Sequence, residues 1–203
     1  ARALVVSADM AEAAMSARET SPALQIALAY SGAVPGFDDY EQFLSSGSAE
    51  PPAYQRRGND MLYSSGTTGR PKGVKPPLPD RQVGDPGDPY VMVFGGTYKM
   101  DADTVYFSPA PLYHAAPLRF GMITQSLGGT VITTEKFDAE DCLKIIDRYR
   151  VTHSQWVPTH FVRMLRLPEQ VRSGYEVGSQ KFVVHAAAPC PPEVKPVSYT
   201  HLT

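Results

Sequence analysis

The chain is predicted to adopt an α/β fold, with mainly parallel sheets joined by crossover helices. Short β-rich apolar runs alternate with segments of helical period, and this exchange recurs along the 203 residues. Most of the 19 prolines fall between the apolar runs, where a fixed φ and a missing N–H do least harm.

Strands are expected at residues 4–7, 24–29, 60–64, 104–107, 130–134, 151–156 and 182–186. The clearest helix spans 139–149, with Asp138 as N-cap and Cys142, Leu143, Ile145, Ile146 and Tyr149 forming one apolar stripe. Further helices are expected at 38–44, 118–127 and 159–167, all short enough to be crossovers. The stretch 75–90, KPPLPDRQVGDPGDPY, is dense in Pro, Gly and Asp and reads as a mobile surface loop.

The chain carries 19 lysines and arginines against 21 aspartates and glutamates, a formal charge of −2 without long like-charged runs. That distribution argues against nucleic acid or anionic lipid as the main partner. No apolar run approaches the ~20 residues needed to span a bilayer. Two cysteines, Cys142 and Cys190, have neither the number nor the spacing of a disulfide framework or zinc site, and read as buried thiols in a reducing, cytoplasmic setting. His153 and His160 stand seven apart with no carboxylate or thiol between them, so no metal ligands are assigned. The chain opens on a strand without an initiator methionine, so its natural start is expected to lie upstream, and no secretion signal is evident.

The chemistry concentrates in MLYSSGTTGRPKGV, residues 61–74. A strand-like pair, Met61 and Leu62, leads into a run of Tyr, Ser, Gly and Thr that ends at Pro71 and Lys72. Gly66 and Gly69 allow successive N–H groups to turn toward one concavity. Ser64, Ser65, Thr67 and Thr68 add hydroxyl donors, and Lys72 adds a full positive charge. A polyphosphate needs that donor set. Composition alone favours a flexible Ser/Gly-rich turn with an exposed lysine, as is common in linkers. The Walker pattern does not fit, because Pro71 stands five positions after Gly66 and Lys72 is followed by Gly73 rather than Ser or Thr. The dinucleotide fingerprint and the Gly-x-Ser-x-Gly elbow of serine hydrolases are also absent.

In order and not only in composition, YSSGTTGRPKGV resembles the signature of the adenylate-forming superfamily, which includes acyl-CoA synthetases, luciferases and peptide-synthetase adenylation domains. The resemblance implies ATP phosphate contacts from Ser64, Ser65, Gly66, Thr67, Thr68, Gly69 and Lys72. Thr67 and Lys72 would act catalytically, opposing the charge that grows on departing pyrophosphate. Downstream, SPAPLYHAAPL is similar to the family motif beside the acyl pocket and pantetheine tunnel, which makes Tyr113 and His114 substrate-contacting residues. HAAAPCPPEV resembles the turn that packs on adenine, so Ala187, Ala188 and Pro189 are expected at the nucleotide, although Ala186 stands where glycine is usual. FDAEDCLKIIDRYRVTHSQWVPTHFVRML resembles the intervening scaffold, with Trp156 and Phe161 in the core.

The resemblance implies ATP and Mg²⁺ as cofactors, coenzyme A as co-substrate and a simple carboxylic acid, a fatty acid in particular, as substrate. It covers residues 1–195 as part of the family's large amino-terminal domain, and 196–203 reads as a junction tail. The Tyr-Gly-x-Thr-Glu and Thr-Gly-Asp motifs and the carboxy-terminal domain are not found, so the polypeptide as it stands is expected not to turn over. A non-catalytic nucleotide-binding or interaction module that retains the scaffold is the alternative.

Overall fold

The computed structural model describes residues 1–64, 72–186, 188–192 and 194. The chain divides into two compact units, Ala1–Gln55 and Arg56–Thr203.

The first unit holds a parallel sheet in the order β1-β2-β3, built from β1 (Ala3–Ser7), β2 (Ile26–Tyr30) and β3 (Asp38–Asp39). A 3₁₀ turn and helix α1 (Ala11–Glu19) link β1 to β2. This helix was not expected from periodicity: it is rich in alanine, a strong helix former, but Ala14 is its one buried residue, so it carries no apolar stripe. Helix α2 (Tyr40–Ser45) starts later than the predicted 38 because Asp39 stays extended as N-cap, its Oδ1 accepting from Gln42 N at 2.7 Å.

The second unit has an antiparallel hairpin, β4 (Leu62–Ser64) with β5 (Lys72–Val74), and a four-stranded parallel sheet. That sheet consists of β6 (Val105–Ser108), β7 (Thr130–Thr133), β8 (His153–Trp156) and β9 (Phe182–His185), in the order β7-β6-β8-β9. Its helices are α3 (Pro89–Tyr98), α4 (Ala115–Ser126), α5 (Ala139–Tyr149), α6 (Pro158–Leu165) and α7 (Glu169–Arg172). The seven predicted strands all form, with ends displaced by one or two residues. β8 starts at His153 rather than 151 because Val151 closes α5 instead: Arg150 adopts a left-handed conformation (φ 51°) and Val151 N donates to Ile146 O.

Two elements correct the sequence reading. The 75–90 stretch has no helix or strand up to Asp88, but its end begins α3, with Asp88 Oδ1 accepting from Val91 N at 2.8 Å and proline at the first turn. Lys72 lies in strand β5 rather than merely ending a bend.

The sheet is covered on both faces because adjacent residues of β6 point opposite ways. Phe107 packs against Cys142, Leu143 and Ile146 of α5 and Phe161 and Met164 of α6, with its ring edge-on to Trp156 at 5.6 Å. Tyr106 turns to the other side, where it stacks on Phe120 of α4 at 5.8 Å within a cluster that includes Met100 and Ile123. Trp156 and Phe161 are core, as expected. Tyr149 leaves the predicted stripe: it is 45% exposed, with the Arg148 guanidinium over its ring. Burial pushes the Cys142 thiol up to about 12, whereas Cys190 is only half-buried.

Helix α4 ends in a Schellman motif: Gly128, at φ 84°, donates to Gln125 O, and Gly129 N donates to Thr124 O at 2.9 Å. A Cβ on Gly129 would lie 2.7 Å from Thr104 O and 2.8 Å from Thr124 Cγ2. Gly129→Ala should therefore destabilise the second unit by ~1–3 kcal/mol. Chemical denaturation checks this, and an unchanged midpoint would show that the turn relaxes freely.

Candidate functional site

In the four-stranded sheet, the connection from β7 to β8 passes over β6, so the strand order reverses between β6 and β8. The segment after β6 leads to α4 on one face and the segment after β8 leads to α6 on the other, the topology at which open α/β sheets place a ligand crevice, outside the carboxyl ends of the strands. Ser108 ends β6, Trp156 ends β8 and His185 ends β9.

Tyr113 and His114 follow β6 directly. Tyr113 is 79% exposed, and its ring centroid lies 4.6 Å from that of His114. His114 is the extended N-cap of α4; its carbonyl accepts from Leu118 N at 3.2 Å, and its side chain makes no capping bond. Both residues therefore sit at the start of α4. Near the ends of β6 and β8 lies a polar pair that sequence reasoning missed. Ser108 Oγ donates to Gln155 Oε1 at 3.4 Å and accepts from Ala110 N at 3.3 Å, and both side chains are buried. Polar side chains within strands expected to be buried were its sequence signal.

The turn after β9 starts at the same sheet edge, where Ala186 N donates to Trp156 O at 3.1 Å. Ala188 and Pro189 beyond it are exposed, and Ala187 lies outside the described residues. Of the phosphate-binding candidates, Ser64 and Lys72 are directly paired across β4 and β5. Ser65, Gly66, Thr67, Thr68 and Gly69 lie outside the described residues. Lys72 is exposed, and a Cβ on its neighbour Gly73 would meet Met61 Cε at 2.7 Å, so glycine lets those side chains cross the hairpin closely.

The two histidines of the scaffold serve packing. His153 Nε2 donates to Tyr98 O at 2.7 Å, its Nδ1 lies 2.8 Å from Thr152 Oγ1, and its ring stacks on Phe182. His160 stacks on Phe137 with centroids 4.4 Å apart, and its Nδ1 accepts from Val157 N at 3.4 Å. Burial is the main force depressing both, and the Arg163 charge adds to it at His160, which falls to about 4. Among the described residues no three His, Cys, Asp or Glu side chains converge, so they offer no ready ligand set for Mg²⁺. Among the same residues no helix is long and apolar enough to cross a membrane.

The parallel four-stranded sheet with helices on both faces and a strand-order reversal defines an open α/β protein. The chain belongs to the AMP-binding enzyme family, whose model matches residues 1–197. It is 30% identical over 141 residues to a probable CoA ligase of Humulus lupulus, covering 66% of this chain and 24% of that protein. It is 31% identical over 146 residues to the 4-chlorobenzoate–CoA ligase of a Pseudomonas species, covering 71% and 26%. The chain thus spans about a quarter of the length of these curated relatives. Among solved structures, the acyl-CoA synthetase of Brucella canis superposes with a TM-score of 0.75 at 23% identity, covering 100% of this chain and 36% of that one. An anthranilate CoA ligase bound to anthranoyl-AMP superposes at 0.74, with 21% identity and coverage of 99% and 39%. These structures establish the adenylate-forming fold.

The depressed histidine gives a pH dependence. His160 titrates near 6.5 in the unfolded chain and near 4 in the fold, so the unfolded state takes up the proton first. Its contribution to stability is complete above pH 6.5 and is lost as pH falls toward 4. His160→Phe, which keeps a ring over Phe137, should flatten the decline in Tm between pH 6.5 and 5, leaving the part due to His153. An unaltered slope in a pH series of melts would place the titration elsewhere.

Proposed function

We propose that this chain supplies the phosphate and acyl contacts of an enzyme that activates a carboxylic acid with ATP and then joins it to coenzyme A. One observation carries the proposal: Ser64 and Lys72, which flank the hydroxyl- and glycine-rich run 65–71 in sequence, are directly paired across β4 and β5. Family membership and the CoA-ligase relatives support it.

In this mechanism the substrate carboxylate attacks the α-phosphorus of ATP, and the bond to the bridging oxygen of pyrophosphate breaks. Lys72 and Thr67 stabilise the charge on the departing pyrophosphate, Lys72 as an ammonium and Thr67 as a hydroxyl donor. Ser64, Ser65, Gly66, Thr68 and Gly69 hold the β- and γ-phosphates. Ala187, Ala188 and Pro189 lie against the adenine. Tyr113 and His114, at the start of α4, bound the acyl group as the CoA thiol displaces AMP from the acyl-adenylate. Mg²⁺ when bound adds charge neutralisation at the phosphates; its ligands are not among the residues assigned here. We place the reaction in the cytoplasm, where Cys142 and Cys190 remain thiols.

The substrate is a carboxylic acid. A fatty acid is the first choice for the acyl group, and the relatives' names, which include chlorobenzoate and hydroxybutyrate ligases, make aromatic and short hydroxy acids the alternatives to try. The test is a panel of these acids incubated with the full-length protein, MgATP and, in parallel, with and without CoA. AMP and pyrophosphate formation that depends on the acid supports the proposal; ATP binding without AMP formation with any acid would favour the non-catalytic module. Lys72→Ala should slow pyrophosphate release at least ~10-fold, about 1.4 kcal/mol of transition-state stabilisation. Unchanged kinetics would remove Lys72 from the mechanism.

A further inference from the structure

The segment that enters β4 is held by two ion pairs of opposite sense. Arg57 pairs with Asp88, the N-cap of α3, and Asp60 pairs with Arg119 of α4. The Asp60–Arg119 contact is the more telling. Arg119 Nη2 and Nε both reach Asp60 Oδ2, at 3.1 and 3.2 Å, and the Arg119 side chain is 32% exposed and that of Asp60 16%. The Arg119 guanidinium also lies 5.1 Å from the centre of the Tyr90 ring on α3. It faces a cleft of about 610 Å³, which we do not assign to a ligand because the arginines in its wall are already engaged by carboxylates or backbone carbonyls.

Asp60 stands two residues before β4, the strand that ends at Ser64, while Arg119 stands five residues after His114, on the helix that His114 caps. One partly buried ion pair thus joins the base of the phosphate hairpin to the helix that carries the acyl-side motif. The Arg57–Asp88 pair ties the same segment to α3, but among the described salt bridges only Asp60–Arg119 ties it to α4 itself. We propose that Arg119 is a positioning residue, which through Asp60 fixes the β4–β5 hairpin against α4 and so sets the separation of the phosphate and acyl sites. The pinning stands on the geometry alone; its effect on turnover rests on the proposed adenylation.

Arg119→Met keeps the aliphatic stem and removes the charge, and Arg119→Lys keeps the charge. Hydrogen exchange on the full-length protein reads the pinning without any activity. In Arg119→Met the β4 and β5 amides should exchange at least ~10-fold faster while those of β6 and β8 keep their rates, and Arg119→Lys should restore much of the protection. Unchanged β4 and β5 exchange, or an equal acceleration in all four strands, would overturn the proposal. In the acid-activation assay, Arg119→Met should raise KM for ATP ~10-fold with kcat within ~3-fold, whereas a loss of folded protein lowers apparent kcat and leaves KM alone. A wild-type protein that forms no AMP with any acid would sink the adenylation reading, and the exchange data would still decide whether Arg119 pins the hairpin.

Discussion

Everything in the second unit depends on β6 being a strand buried on both faces and paired in parallel on both edges. Parallel neighbours require crossovers, and with partners on each side those crossovers have to leave in opposite directions. Tyr106 and Phe107, successive residues with opposite orientations, give each crossover an apolar surface to land on. The strand-order reversal is a topological by-product of that arrangement. Phe107 is buried beneath α5 and α6, whereas Tyr113, in the segment that follows β6, is exposed.

The strands and the strongest helices were legible in the sequence because burial on two faces writes apolar runs and burial on one writes a stripe. Helix α5 is the clear case, with Asp138 accepting from both Glu140 N and Asp141 N at 3.0 Å as the N-cap expected of it. Three helices were not read, of which α7 is a single turn, too short to show a period. α1 buries a single alanine and so leaves no period, whereas α3, PYVMVFGGTY, is apolar nearly all round and interrupted by two glycines. Its Asp-Pro start was a fair signal that the surrounding Pro/Gly density concealed. The extent of β5 was hidden for a different reason: Lys72–Val74 has no apolar alternation, and its pairing is imposed by β4.

The candidate site was legible to differing degrees. Tyr113, His114 and Lys72 are proposed from the order of motifs, because residue type carries the chemistry proposed for them. Ser108, Gln155, Asp60 and Arg119 were not found, because their roles come from partners 47 and 59 positions away. Long-range polar pairing leaves no periodic trace. Hydrogen bonds between strands that are distant in sequence become visible only once the sheet order is known.

The glycine-terminated end of α4 has one further mechanical implication. A twelve-residue helix is ~18 Å long, and its backbone ladder transmits displacement along its axis with little loss. Because Gly129 wedges one end beneath the carbonyl of Thr104, the imidazole at the opposite end behaves as the tip of a seated strut. Its location is thereby referred to the sheet rather than to the bend in which it sits.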